Sequence, residues 1–485
     1  MIIELENQEY NTLLLPIEWR FSAAAVGLMR FFDYIEDVEG IKLYERTHGD
    51  EDIDVYQKIG GYIEGIKYNQ RDLTEERYLS FCEAFFSDEF QHLKAEQILQ
   101  GDEFSEDQIA LVNNLLTGQS SNNVLKKVFG KQKFDGGNKE ELLFLISQNR
   151  LEIVKETFRF KTNLYRKYSN TRKMLSADNP HCRLLGYNLD EGRKSKATSY
   201  KFDTDTFIAQ DYLEFDFIPF AFTNSNISFF INNNCDLDSL KKANEIIKEK
   251  MEEKDILKDN KYIREDAKTK LIKGMLEAGD FFDFDAEIIV RSNENEVYET
   301  FFVRKRALAL VKKIYKTSNL RFVYKYNYDY WLDVEKEIVN CCMNGIVFDG
   351  LLERLLKISM EEKQGYASVI IDKLVKMNVE WKEMRNVDAK MWNVKKEGIE
   401  IGKKLFAKGG ENKVKSYKNK IINACISHDY DRVLEIMLQI SGYVESEIET
   451  IYKIVDDKQN CSDIVVCFAN ALGSSDKKEE IEDGE

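Results

Sequence analysis

The chain is poor in the residues that punctuate, cross-link or catalyse. Three prolines and four histidines occur in 485 residues, and the eight cysteines contain no Cys-x-x-Cys pair. Cys341 and Cys342 are adjacent, while Cys461 and Cys467 stand too far apart for a zinc knuckle. Neither a disulfide scaffold nor a cysteine-bound metal is therefore expected, and the cysteine usage fits a reduced, cytoplasmic protein. His48, His92, His181 and His428 are isolated, and the chain has no His-Glu-x-x-His, no Gly-x-x-x-x-Gly-Lys-Ser/Thr and no Gly-x-Ser-x-Gly. Its longest small-apolar stretch, Ala23 to Met29, falls far short of the roughly 18 residues a membrane span needs. The acidic start, Met1-Ile-Ile-Glu-Leu-Glu-Asn7, is unlike a signal peptide. Positive charge is also scarce, with 70 Lys and Arg against 86 Asp and Glu, a net −16. A free-standing nucleic-acid binder is usually basic, so such a role requires basic residues to be concentrated locally.

What is present is apolar and aromatic, at 43% and 12% of residues. That content supports globular packing, and the length predicts two or three domains. Ala24, Leu28, Phe31 and Ile35 share one helical face, and the neighbouring Ala23, Ala25 and Gly27 leave room for a second backbone. In Leu213-Glu-Phe-Asp-Phe217 the apolar and acidic residues alternate, which predicts a half-buried strand. With the run Ile227 to Ile231 it suggests an apolar hairpin that forms the core of its domain. Pro219 limits that ladder. Asn232, Asn233 and Asn234 end it and read as turn chemistry, with Asp236 or Asp238 capping the next helix. Phe281 to Arg304 reads as another hairpin, and Leu320 to Tyr326 as a strand. Beyond about residue 335 only helical patterns follow, to Leu472, broken at Gly409-Gly410. The predicted fold is an α+β N-terminal domain with antiparallel hairpins over 1–335, then an all-α helical-bundle domain over 336–473. A polar acidic tail with the composition of a disordered segment closes the chain at 474–485.

Three places could carry chemistry. Asp283, Asp285 and Glu287 share one face of a predicted strand, as a metal-dependent nuclease or nucleotidyl transferase would need, and Asp203 with Asp205 repeats the pattern weakly. The alternative is a solvated strand face, because Phe282, Phe284, Ala286 and Ile288 complete an inward one. The second place is the run from Gly118 to Asn138, where Lys126, Lys127, Lys131 and Lys133 against Asp135 give +3 beside Asn122 and Asn123. Lysines and amides suit phosphates and base edges, but the same texture describes mobile surface loops around a short helix. The third is Lys390 to Lys420, with ten lysines against three glutamates, a net +7 in 31 residues that includes Lys395, Lys396, Lys403, Lys404, Lys413 and Lys415. It would attract phosphates without reading sequence, or else be an ordinary solvated helix face.

Three stretches together resemble the large subunit of type I-B CRISPR surveillance complexes (Cascade), of the Cst-type lineage. They are Trp19 with Ser22-Ala-Ala-Ala-Val-Gly-Leu-Met-Arg30, then Ile218-Pro-Phe-Ala-Phe222 with Phe229-Phe-Ile-Asn-Asn-Asn234, and Cys467-Phe-Ala-Asn-Ala-Leu-Gly473. Some relatives carry paired Cys-x-x-Cys zinc motifs. This chain has none, so no zinc site is carried over. The resemblance implies a non-catalytic subunit without metal or cofactor, whose partners are CRISPR RNA, target DNA, the other Cascade subunits and the helicase–nuclease. Its N-terminal part would recognise the protospacer-adjacent motif near the guide 5′ end. Its helical part would hold the displaced strand, and Met343, Met360, Met384 and Met391 are possible internal starts for a separate small subunit. On this reading the lysine-bearing loop of 118–138 contacts target DNA and the 390–420 lysines contact the displaced strand. A metal-dependent nuclease built on Asp283, Asp285 and Glu287, and a helical scaffold without nucleic acid, are the alternatives.

Overall fold

A computed structural model describes residues 1–47, 64–185, 211–256 and 267–473, apart from 8, 120, 170, 172, 180–181, 225–226, 234–235, 279–281, 283, 293–297, 318–321, 326–330, 345, 362–365, 383–386 and 459. His48, His181, Asp203, Asp205, Asp283, Asn234 and the 474–485 tail lie outside the described residues. The chain divides into two compact units, Met1–Ala267 with Glu277–Phe302, and Lys268–Leu276 with Val303–Glu485. The N-terminal part carries small antiparallel sheets among helices, and the C-terminal part is mostly helical.

The first unit starts with β1 (Ile2–Glu4) and β2 (Thr12–Leu14) and continues into α1 (Trp19–Glu39), β3 (Tyr44–Thr47) and β4 (Gly65–Tyr68). The four strands form an antiparallel sheet in the order β1–β2–β4–β3, with Leu14 opposite Ile66. Helix α1 is buried almost all round from Trp19 to Phe32 and ends at Gly40, whose φ of 70° suits glycine. A helix apolar on every face has to be enclosed, and what closes over α1 is the segment expected to be a strand.

Leu213–Phe220 forms a 3-10 helix instead, with every residue from Glu214 onward buried. The alternation misleads because Glu214 and Asp216 do not face water. Tyr68 donates to Glu214 at 2.6 Å, and Tyr165 and Arg183 donate to Asp216 at 2.7 and 2.5 Å. Paired and hydrogen-bonded, the two carboxylates can sit in the core. Thr223 then ties this helix to β5 (Ile227–Asn232), its N–H donating to Phe229 O and its hydroxyl accepting from Phe229 N, both at 3.0 Å.

Between sheet and 3-10 helix come α2 (Glu75–Phe85), α3 (Gln91–Leu99), α4 (Glu106–Leu116), α5 (Asn123–Phe129), α6 (Lys139–Phe160) and the short α7 (Tyr165–Tyr168). Helices α3 to α6 enclose a satellite core of Leu99, Val112, Leu116, Leu125, Phe129, Phe134 and Ile146. After β5, Asp236 accepts from Ser239 N at 2.7 Å and caps α8 (Leu237–Ile256). Two further strands, β6 (Ala286–Ser292) and β7 (Tyr298–Val303), complete an antiparallel sheet in the order β5–β6–β7, with Phe230 opposite Ile289. Strand β5 is an edge, and Asn244 of α8 covers it: the Asn244 amide bonds both the N–H and the carbonyl of Ile231, each at 2.8 Å. Those backbone groups would otherwise be orphaned in the core.

The second unit contains α9 (Ala267–Glu277), α10 (Lys305–Thr317), the antiparallel ribbon of β8 (Val323–Lys325) and β9 (Trp331–Asp333), and α11 (Val334–Asn344). The helical series continues with α12 (Asp349–Glu361), α13 (Tyr366–Trp381), α14 (Val387–Ile426), α15 (Tyr430–Val444), α16 (Thr450–Asp456) and α17 (Ser462–Ala471). Helix α14 is two helices joined at Gly410, whose φ of 68° and ψ of −179° are not helical. A straight helix would carry Gly402 about 35 Å from Cys425. Yet Gly402 packs on Leu472 and Cys425 interacts with Ser462, so the chain folds back at Gly410 and both arms lie on α17. Among the described residues no helix is long and apolar enough to cross a membrane.

Candidate nucleic-acid interface

The stretches that carried the family resemblance are packing segments. Gly27 of α1 sits so close to the 3-10 helix that a Cβ there would overlap the Phe217 carbonyl oxygen. One turn later Arg30 donates to the Phe220 carbonyl; burial, against the pull of Glu245, brings its pKa down to about 10. Phe217 packs on Phe31 and Tyr78 at 5.2 Å, and Phe220 on Phe81 at 4.5 Å. In the second unit, Gly398 of α14 meets Ala471 and Gly402 meets Leu472, while Asn470 donates to Asp372 at 2.7 Å and to Ser368 O at 3.0 Å. Small residues buy close approach of backbones in both places.

Asn122 caps α5, accepting from Leu125 N at 3.4 Å, and its amide donates to Thr157 at 2.8 Å, so this side chain is committed to the fold. Asn123 beside it is exposed. The rest of the 118–138 segment is not a free loop. Asn113 bonds both the N–H and the carbonyl of Phe134, at 2.8 and 2.9 Å, and Phe134 is buried. The exposed Asp135 closes its own turn, accepting from Gly137 N at 2.8 Å and Asn138 N at 3.1 Å. Lys126 is half-buried with its ammonium on Gln119 O, whereas Lys127, Lys131 and Lys133 are exposed. The segment therefore presents its lysines on a pinned support.

The 390–420 lysines separate into two groups. Lys395 reaches Asp372 at 2.8 Å, and burial, opposed by Asp372, lowers the pKa of Lys418; both belong to the helix packing. Lys396, on the outer side of the first arm, is exposed. Around Gly410 the chain from Lys403 to Lys415 holds five lysines against Glu411. Lys403, Lys404, Lys408 and Lys415 are exposed, with Phe406 58% exposed among them. Tyr443 at the end of α15 supports this tip: its hydroxyl donates to Lys408 O at 3.1 Å, and the Lys413 ammonium lies 4.8 Å from its ring. Lys404 bonds Ser446 at 2.7 Å and Lys408 bonds Glu445 at 2.9 Å. The tip of a helical hairpin thus collects positive charge and an exposed aromatic ring, the combination that holds phosphates and stacks bases.

The acidic candidate is placed differently. Asp285 is exposed just before β6, and Glu287 accepts from the buried Asn232 at 2.8 Å across the β5–β6 pair. Asn232 is therefore a buried strand residue rather than turn chemistry. Among the described residues no group of three His, Cys, Asp or Glu side chains is placed to hold a metal ion. His92 is buried against Glu83 at 2.6 Å, and His428 is exposed. A further basic and aromatic region, after residue 303, escaped a reading based on lysine density; the signal that finds it is an absence of acidic residues.

Comparison with protein families places the chain among the CRISPR-associated proteins. The matching family is that of the CRISPR-associated protein Csx8, aligned over residues 10–472, and the chain belongs to it. No curated protein and no solved structure matches the chain.

Proposed function

We propose that the chain is the non-catalytic large subunit of a type I-B Cascade ribonucleoprotein of the Cst-type lineage, acting in the cytoplasm in antiviral defence. In this reading it recognises the protospacer-adjacent motif in target DNA, stabilises the R-loop formed by the CRISPR RNA, and helps recruit the helicase–nuclease. The observation that carries it is the Lys403–Lys415 tip, a concentration of exposed lysines in a CRISPR-associated chain of net charge −16. An acidic subunit with focused basic surfaces suits a ribonucleoprotein in which other subunits hold most of the RNA. The lysines of the α5 segment, on their pinned support, take the backbone of the target duplex. The tip takes the displaced strand. Phosphate contacts of this kind position a duplex without reading its sequence.

The test uses the complex assembled from the native host, with its guide RNA. Replacing Lys126, Lys127, Lys131 and Lys133 by alanine is expected to weaken target-duplex binding roughly tenfold or more at moderate salt, because each lost phosphate contact removes counterion release. Unchanged duplex binding by the assembled variant would sink the assignment of this segment. Absence of repeat-derived RNA from the purified complex would sink the reading as a whole.

A further inference from the structure

From Arg304 to Lys325 the chain holds eight basic residues and no acidic one. That is denser than the 390–420 run. Over Phe301 to Trp331 nine aromatic residues are interleaved with them. The structure divides this region into helix α10 and the β8–β9 ribbon, both packed against α11. Ala307, Leu308 and Val311 turn the apolar side of α10 inward, leaving Arg304, Lys305 and Arg306 exposed at its start.

The ribbon sorts its residues by face. Its register sets Lys325 opposite Trp331 and Tyr324 opposite Leu332, and directly opposed residues share a face. Leu332 is buried, so the other face looks outward, with Trp331 54% and Val323 55% exposed. On that face the Lys325 ammonium lies 4.7 Å from the Trp331 ring. Among the described residues, Glu335 pairs with Lys273 at 2.7 Å, Glu337 pairs with Arg354 at 2.6 Å, and Asp333 accepts from Lys336 N at 3.1 Å.

We infer that α10 and the β8–β9 ribbon form a binding surface for single-stranded polynucleotide. Trp331 stacks on a base, Lys325 pairs with the adjoining phosphate, and Arg304, Lys305 and Arg306 follow the backbone. An indole that is more than half exposed offers a flat face for stacking, and every base has a face that fits it. A duplex keeps its bases stacked inside and cannot offer one, so the ring favours a single strand. The inference does not depend on the Cascade reading, since it needs neither guide RNA nor partner subunits.

The experiment measures binding of fluorescein-labelled dT20 and U20 to the purified full-length chain across a salt series. A 20-base-pair duplex and polyglutamate serve as competitors. Trp331→Ala is expected to weaken both oligonucleotides roughly tenfold, and Trp331→Phe to restore most of that loss, because stacking requires a ring rather than an indole. The triple variant R304A/K305A/R306A is expected to lower the slope of log affinity against log salt by about 2, at ~0.7 per phosphate on a single strand. A difference between dT20 and U20 decides whether DNA or RNA is the ligand. The inference is overturned if wild type fails to bind either strand, if the duplex or polyglutamate competes as well as dT20, or if Trp331→Ala binds like wild type. Far-UV circular dichroism checks each variant; should the alanine variant misfold, R304A/K305A/R306A, at three exposed positions, carries the test, and an unchanged salt slope there overturns the inference.

Discussion

The same packing device serves both units, and the cations beside it go to opposite places. In the first unit, Gly27 lets the 3-10 helix close on α1, and the cations beneath it are consumed inside: Arg30 on a carbonyl, Arg183 on Asp211 and Asp216, Lys167 on Ser228. In the second unit, Gly398 and Gly402 let α14 close on α17, and its chain returns at Gly410 with the lysines outside. A buried cation must be matched locally or it destabilises the fold, whereas an exposed one costs almost nothing and stays available to a phosphate. The first unit's polar core therefore fixes structure, and the second unit's tip is the better place for a ligand.

The largest test of this contrast is Arg183. It is 1% exposed and also donates to Ser176 O at 2.6 Å. Burial works against its charge, but Asp216 and Asp211 hold its pKa above the ordinary arginine value. Arg183→Met leaves two carboxylates without their cation and is expected to cost about 3–5 kcal/mol, read by urea denaturation. The double variant with Asp216→Asn should recover part of the loss. A cost below about 1 kcal/mol would mean that the cluster behaves like a surface pair and that the contrast is false.

The glycines come next. A methyl group at Gly27 or Gly402 would overlap a backbone carbonyl, of Phe217 and Leu472 respectively. Neither neighbour can swing aside as a side-chain tip would. Gly27→Ala and Gly402→Ala are each expected to cost about 2–3 kcal/mol, as overpacking does. Hydrogen exchange should show the protection lost around α1 in one variant and around α17 in the other. Equal loss at both places in both variants would contradict separate packing cores.

How far this was legible in the sequence depends on the residue. The helical character of α1, its small-residue stripe and the break at Gly409-Gly410 follow from periodicity and glycine placement. The 3-10 helix was not legible, because period-2 alternation signals a strand only when the polar members face solvent. Glu214 and Asp216 are satisfied by Tyr68, Tyr165 and Arg183, 33 to 146 residues away in sequence. Lysine density located the 403–415 tip, but only tertiary contacts separate Lys395 and Lys418, which serve packing, from the exposed lysines near the turn.

Lys167 gives the comparison a pH dependence. It is 3% exposed, donates to Ser228 at 2.7 Å, and has its pKa lowered from 10.5 to about 7 by burial, with Arg291 adding to the effect. The folded state thus disfavours the cation, so the destabilisation is fully present below about pH 7 and is relieved as pH rises toward 10.5. Between pH 7 and 9 the stability of wild type relative to Lys167→Met is expected to rise by about 2 kcal/mol. A flat or falling difference would show that the ammonium is satisfied where it sits.

The smallest effect on stability belongs to the tip. Lys403, Lys404, Lys408 and Lys415 are exposed, and the Lys408–Glu445 pair has a largely exposed glutamate, so each lysine should be worth less than about 0.5 kcal/mol to the fold. Replacing the four together by alanine is expected to leave the urea midpoint nearly unchanged. Tyr443 still donates to the Lys408 backbone carbonyl, which the substitution keeps, and so the turn at Gly410 survives. The same variant should lose affinity for single-stranded DNA and show a salt slope shallower by up to about 3, at ~0.7 for each phosphate released. A large drop in stability with the salt slope unchanged would reverse the assignment: the tip lysines would then be structural, and the difference between the buried cations around α1 and the exposed ones near Gly410 would disappear.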